Sequence, residues 1–168
     1  EHVLKMIRKA VILAAGRGKR MKHLTEETPK PMVHLRGRPM LEHIIERVKT
    51  AGIAEFCVVV GYRAEMIENH FGDGSRFGVR TTFIRQEKQD GTASAVHLAR
   101  SFATNEPFLM TFGDILTSEN NYAKLTADFE HSESPVALWP ESVRAAASGV
   151  APKAPDHPSG QRPMAALL

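Results

Sequence analysis

The 168-residue sequence holds one cysteine and one tryptophan, and much of its reading starts from what is scarce. A lone Cys57 has no partner for a disulfide within the chain. Its place in the apolar run Phe56-Cys-Val-Val-Val60 marks a buried structural thiol rather than a reactive one. No apolar run is long enough to span a bilayer, and no secretory leader pattern is present. No membrane partner is therefore expected, and a reducing, cytoplasmic setting is the expectation. Charge of one sign is not in excess either: 22 basic against 19 acidic residues leave a formal net charge of +3, with the basic residues spread along the chain. Nucleic-acid binders more often carry a basic stripe with interleaved aromatics, and aromatics make up only 7% here, so no nucleic-acid partner is expected. The eight histidines are scattered without His-Glu-x-x-His or another metal-ligand spacing.

What is present is the composition of one ordinary globular domain, 42% hydrophobic and 24% charged. That length is enough to bury a real core. The most informative stretch is Ala10-Val-Ile-Leu-Ala-Ala-Gly-Arg-Gly-Lys-Arg-Met21, followed by Thr28-Pro-Lys-Pro-Met32. Apolar Val11 to Ala15 read as a buried strand ending in a basic, glycine-broken turn. Gly16 and Gly18 permit a turn and close approach to a ligand, while Arg17, Lys19, Arg20 and Lys30 bring positive charge to the strand end. In an open α/β sheet, ligands bind at the carboxyl ends of strands, so the stretch points to a phosphate-rich small molecule. Two better-known glycine motifs fit poorly. The dinucleotide fingerprint needs a third glycine where Met21 stands, and Gly18-Lys19 is followed by Arg20 rather than the Ser or Thr of a phosphate loop.

The ordered set Leu13 to Met21, Leu24 to Met32, Gly37-Arg-Pro-Met-Leu-Glu-His-Ile-Ile45, Gln86 to Thr92 and Phe112-Gly-Asp114 resembles the sugar-1-phosphate nucleotidyltransferases, or nucleotide-sugar pyrophosphorylases. The resemblance covers roughly residues 7–139. It implies an α/β fold: a three-layer Rossmann-like, GT-A-like nucleotidyltransferase fold with a mostly parallel sheet. It also implies the transfer of a nucleoside monophosphate from a nucleoside triphosphate to a sugar-1-phosphate, with release of pyrophosphate. The nucleophile is already an anion, so the lack of an obvious His-carboxylate pair agrees with this chemistry. Positioning and electrostatics then carry catalysis.

The resemblance also assigns roles residue by residue. Leu13, Ala14, Ala15 and Gly16 would offer backbone groups to base and ribose, and Gly16 to Gly18 would wrap the phosphates. Arg20 matches the catalytic arginine, whose planar charge suits a bidentate grip on the triphosphate, and Lys30 matches the lysine that approaches the phosphates. Gln86, Gly91 and Thr92 match the residues that recognise the nucleobase; Thr92 can also cap the helix that follows. Asp90 stands where an apolar residue is frequent. Gly113 at the end of an apolar strand is also expected to bind the nucleotide, and Asp114 after it is the expected ligand of a Mg2+ cofactor. Base, sugar and oligomeric state are not specified by these motifs. A non-catalytic nucleotide-binding or regulatory module, and a cytidylyltransferase acting on a phosphoalcohol such as phosphocholine, stay open as alternatives.

Strand-like and helix-like segments alternate, the pattern of a parallel sheet covered by helices. Helices are expected over 40–51, 64–71, 92–102 and 122–129, with Ala93, Val96, Leu98 and Ala99 of the third facing inward. Strands are expected over 56–60, 79–84, 108–112 and 136–139 after the first. The nucleotide-binding portion is thus placed at 1–140. From Glu141 to Leu168 the sequence becomes Pro- and Ala-rich, with Pro152, Pro155, Pro158 and Pro163, and is expected to be disordered. The resemblance stops near this boundary. The half that carries most sugar-binding residues and a second metal-binding aspartate finds no match, so the C-terminal part of the fold reads as incomplete, as from a truncated or frame-shifted chain.

Overall fold

The structure, a computed structural model, describes residues 6–16, 27–88, 90–118, 120–131 and 165–167. Its centre is a sheet of five parallel strands in the order β5-β4-β1-β6-β7. These are β1 (Lys9–Ala14), β4 (Glu55–Val60), β5 (Arg80–Arg85), β6 (Phe108–Phe112) and β7 (Ala165–Leu167). A two-stranded ribbon of β2 (His34–Leu35) and β3 (Arg38–Pro39) lies apart from the sheet, joined by a turn with Arg36 and Gly37 at positive φ.

The central strands are apolar throughout because helices cover both faces. On one face Ala10, Ile12 and Ala14 of β1 and Phe56, Val58 and Val60 of β4 pack with α1 (Met40–Thr50), α2 (Ala64–Phe71) and α5 (Asn121–Glu130). On the other face Val11, Cys57, Val59 and Met110 meet α3 (Thr92–Leu98) and α4 (Arg100–Ala103) through Ala95, Ala99 and Ala103. Small residues there let the helices lie close to the sheet. Thus alternate residues of one strand feed two separate cores, which makes three layers.

Helix α1 follows its sequence pattern closely. Leu41, Ile44, Ile45 and Val48 are buried, Pro39 precedes the first turn, and Gly52 at φ +86° follows the last. On α5, Tyr122, Leu125 and Phe129 are buried, and the Tyr122 hydroxyl lies 3.3 Å from Thr111 Oγ1 on β6. That pair satisfies two polar groups inside the core.

The structure departs from two expectations. The helix expected over 92–102 is interrupted at Ala99, where the chain turns before α4. Its buried residues are Ala95, Ala99 and Ala103, with Val96 and Leu98 partly buried and Ala93 exposed; the interruption resets the phase on which an unbroken helix was read. The tail is not wholly without regular structure: Ala165–Leu167 run parallel to Phe108–Met110, because β6 would otherwise leave its outer edge unpaired. The strand expected over 136–139 lies outside the described residues.

Two measurements check this packing. Ile44 is fully buried, so Ile44→Ala should lower unfolding free energy by about 2–5 kcal/mol in urea titrations. The Cys57 thiol is fully buried and burial pushes its pKa up to about 12. It should resist iodoacetamide in the native protein at pH 8 and react fully in denaturant; native reaction at the denatured rate would contradict its placement.

Candidate functional site

Chain order reverses between β1 and β6: the segments that follow β1 build one side of the sheet, and β6 opens the other. Diverging connections leave a crevice at the carboxyl ends of these strands. A cleft of about 280 Å3 lies there, lined by Leu13, Ala14, Ala15 and Gly16 from the end of β1, Lys30 and Pro31, Gln86 after β5, Gly91, Thr92 and Ala95 at the start of α3, and Phe112 and Asp114 from the end of β6. Residues separated by up to about a hundred positions in sequence therefore share one wall.

Each side chain is held by a local reason. Lys30 opens a single 3-10 turn, Lys30–Met32, between Pro29 and a buried Pro31. The two fixed proline φ angles and the Met32 N–H to Pro29 carbonyl bond of 2.8 Å hold the backbone. Asp114 follows β6, and Gly113 donates to the Leu13 carbonyl at 2.8 Å, tying the ends of β6 and β1 together. A side chain at Gly113 would press on Ala14 at 3.0 Å and on Pro31 at 3.3 Å. The Lys30 ammonium then donates to Asp114 Oδ2 at 2.7 Å. The side chains are 30% and 35% exposed, so the pair adds little to stability but sets opposite charges side by side on the cleft wall.

Gln86 is buried, and its backbone N–H donates to the Val60 carbonyl at 2.8 Å. Gly91 adopts φ +110°, ψ 172°, a conformation nearly restricted to glycine, and caps α3. The cap position is thus Gly91 and not Thr92, which is the first helical residue and makes no capping bond. The Asp90 carboxylate beside it is held below the ordinary carboxylate range, first by the Ser94 hydroxyl, then by its own backbone N–H, with Gln86 and Lys88 adding less against opposing desolvation.

The structure therefore gathers Leu13, Ala14, Ala15, Gly16, Lys30, Gln86, Gly91, Thr92 and Asp114 around one cleft, with Gly113 directly beneath it. Gly16 is exposed, and a side chain there would meet no atom of the described residues within 4 Å. Gly18 and Arg20, with Arg17 and Lys19, lie outside the described residues. Among the described residues no group of three or more His, Cys, Asp or Glu side chains is placed to hold a metal ion. Asp114 offers one carboxylate, the donor type that Mg2+ uses when substrate phosphates and water complete its shell. No described helix is long and apolar enough to cross a membrane.

A sequence profile of the nucleotidyl transferase family matches residues 9–150. The chain belongs to that family. The UTP–glucose-1-phosphate uridylyltransferase AglF of Haloferax volcanii is 40% identical over 111 residues, which are 66% of this chain and 45% of AglF. The low-salt glycan biosynthesis nucleotidyltransferase Agl11 of the same organism is 36% identical over 126 residues, 74% of this chain and 35% of Agl11. A UDP-glucose pyrophosphorylase structure from Acinetobacter baumannii aligns with a TM-score of 0.69 at 23% identity, over 79% of this chain and 56% of that one, a likeness of fold. The chain thus spans half or less of the length of these curated relatives.

In this nucleotidyl transferase chain, sequence reading passed over several residues of the cleft. Pro31, Ala95 and Phe112 line it without carrying chemistry. Gly61, read only as a turn, supports it from behind: a Cβ there would lie 2.8 Å from the Ala15 carbonyl oxygen, and the Tyr62 N–H donates to that oxygen at 3.4 Å. The apolar strand ending in Gly61 was the available signal, but close approach to another strand end is not encoded locally. Gly61→Ala should therefore cost about 1–3 kcal/mol of stability through overpacking. Gly16→Ala should stay within about 0.5 kcal/mol of wild type. Equal urea midpoints for the two variants would contradict this account.

Proposed function

We propose that the chain provides the nucleotide-binding portion of an enzyme that transfers a nucleoside monophosphate from a nucleoside triphosphate to a sugar-1-phosphate. One oxygen of the sugar phosphate attacks the α-phosphorus, the bond from that phosphorus to the α,β-bridging oxygen breaks, and pyrophosphate leaves with its electron pair. The products are a nucleoside diphosphate sugar and pyrophosphate. The observation that carries this reading is the 2.7 Å pairing of Lys30 with Asp114 on the wall of a cleft that also holds Gln86, Gly91 and Thr92. One end of the cleft bears charges suited to phosphate and a hard cation, and the other bears an amide suited to a base edge.

On this reading Lys30 leaves Asp114 for the phosphates when nucleotide enters. Its ammonium offsets the charge that builds on the phosphoryl oxygens as the bond to pyrophosphate breaks. Asp114 is then the protein ligand for Mg2+, which supplies charge neutralisation to the phosphates when bound. Arg20 takes the grip on the triphosphate that its match to the family motif implies. The sugar-1-phosphate has no assigned side chains among the described residues. A supply of nucleoside triphosphate places such a reaction in the cytoplasm.

Calorimetric titration with nucleoside triphosphates in the presence of Mg2+, beside a pyrophosphate-release assay with hexose-1-phosphates, tests the reading. Binding is expected, weakened roughly 10- to 100-fold in Lys30→Ala, the range for one charge-assisted hydrogen bond. Asp114→Asn is expected to remove most of the dependence of that binding on Mg2+. Binding without pyrophosphate release would restrict the chain to a nucleotide-binding module, the reading its short span favours next. Absence of binding at millimolar nucleotide would end both.

A further inference from the structure

The chain leaves β4 through Gly61-Tyr62-Arg63, and the last of these is strained. Arg63 takes φ 53° and ψ 39°, the left-handed region that glycine enters at less cost. Four described residues other than glycine have positive φ: Arg36, Arg63, Thr104 and Asn105. Arg36 lies in the ribbon turn, and Thr104 and Asn105 precede β6 at the amino end of the sheet. Arg63 alone stands at the carboxyl end, where the cleft opens. Strain of this kind gathers at ligand sites, where surrounding contacts hold it in place.

Such contacts lie on both sides of Arg63. Before it, Gly61 packs against Ala15, and the Tyr62 N–H donates to the Ala15 carbonyl at 3.4 Å. After it, the Ala64 N–H donates to the Gly61 carbonyl at 3.1 Å and the Met66 N–H to the Arg63 carbonyl at 3.0 Å, which starts α2. The turn is thereby tied to the end of β1. The guanidinium is exposed, its carbon 5.9 Å from the centre of the Tyr62 ring. The Tyr62 hydroxyl is first among the groups that raise the Arg63 pKa above its ordinary value; the Glu65 and Glu27 carboxylates add to it, against opposing desolvation.

Glu65 belongs to the first turn of α2, but Glu27 comes from a distant segment: Glu27, Thr28 and Pro29 lead directly into Lys30. Pro29, Pro31 and Met32 are buried, so packing fixes that segment from Pro29 onward. Glu27 is exposed, and packing gives it no such hold. An opposite charge on a turn already tied to β1 supplies one.

We propose that Arg63 is a positioning residue for the phosphate end of the cleft: held in the left-handed conformation beside Ala15, its guanidinium draws in Glu27 and so steadies the entry to the Pro29-Lys30-Pro31 turn. This rests on the nucleotide reading of the cleft given above, and Arg63 acts in it through Lys30 rather than on the phosphates. An exposed charge pair adds little to stability, so its effect falls on the orientation of Lys30 and not on folding.

Isothermal titration with UTP and Mg2+, beside urea unfolding, provides the test for wild type, Arg63→Gly, Arg63→Lys, Glu27→Gln and the double variant Arg63→Gly/Glu27→Gln. Arg63→Gly should weaken UTP binding roughly two- to fivefold, the range of an exposed ion pair. Its urea midpoint should stay at or above that of wild type, since glycine takes the same φ with less strain. Arg63→Lys keeps the charge and should retain most of the affinity. Glu27→Gln should weaken binding as much as Arg63→Gly does, and the double variant no further. Unchanged binding in Arg63→Gly overturns the inference and leaves nucleotide binding standing. So does a loss that comes with a lower urea midpoint, an equal loss in Arg63→Lys, or losses that add in the double variant. Absence of UTP binding in wild type overturns this inference together with the reading beneath it.

Discussion

Parallel pairing of β1 between β4 and β6 is the constraint on which the rest of the molecule depends. Ala10, Val11 and Ile12 are wholly buried, covered by helices on both faces and by strands on both edges. A strand so enclosed carries no polar side chain in its interior, and its backbone groups pair along the whole length of the ladder. Its carboxyl end is the first place where the chain meets solvent again. Leu13 to Gly16 emerge there, beside the ends of β4 and β6, so every chemical group of the cleft is delivered to the same small region.

From that placement follow the local devices of the site. Gly61 and Gly113 are small because two strand ends crowd against β1. Pro29 and Pro31 hold Lys30 within reach of Asp114, although the two are separated by 84 positions in sequence. The cleft thus contains a cation and an anion that satisfy one another at 2.7 Å. A phosphate with its own cation can replace that pair group for group. Family membership and cleft geometry support the same chemistry from independent directions, one from sequence and the other from the sheet.

Much of this was legible in the linear pattern because the dominant forces there are periodic or local. The apolar positions of α1 and the uninterrupted hydrophobicity of β4 mark burial by helical and parallel-sheet periods. Lys30 and Asp114 stood out by their charge near the ends of strands, and Gln86 and Gly91 by their match to the family's motif. What failed did so where two local rules competed. Thr92 is a good cap by type, but the positive φ needed one residue earlier gave the cap position to Gly91. The phase of α3 was misjudged because the turn at Ala99 is not announced by glycine or proline. Ala165–Leu167 joins β6 because a sheet edge pairs backbone with backbone, for which side-chain pattern is a weak guide.

By itself, then, the sequence determined the class of the fold, the identity of the core helices and the chemical types at the strand ends, since each depends on neighbours within a few residues. Only the tertiary structure decided which of those groups meet: Lys30 with Asp114, Gly61 with Ala15, and Gln86 with Asp90 and Gly91. The physical reason is that the first set is governed by burial and backbone preference along the chain. The second is governed by distances between strand ends, which exist only after β4, β1 and β6 have paired.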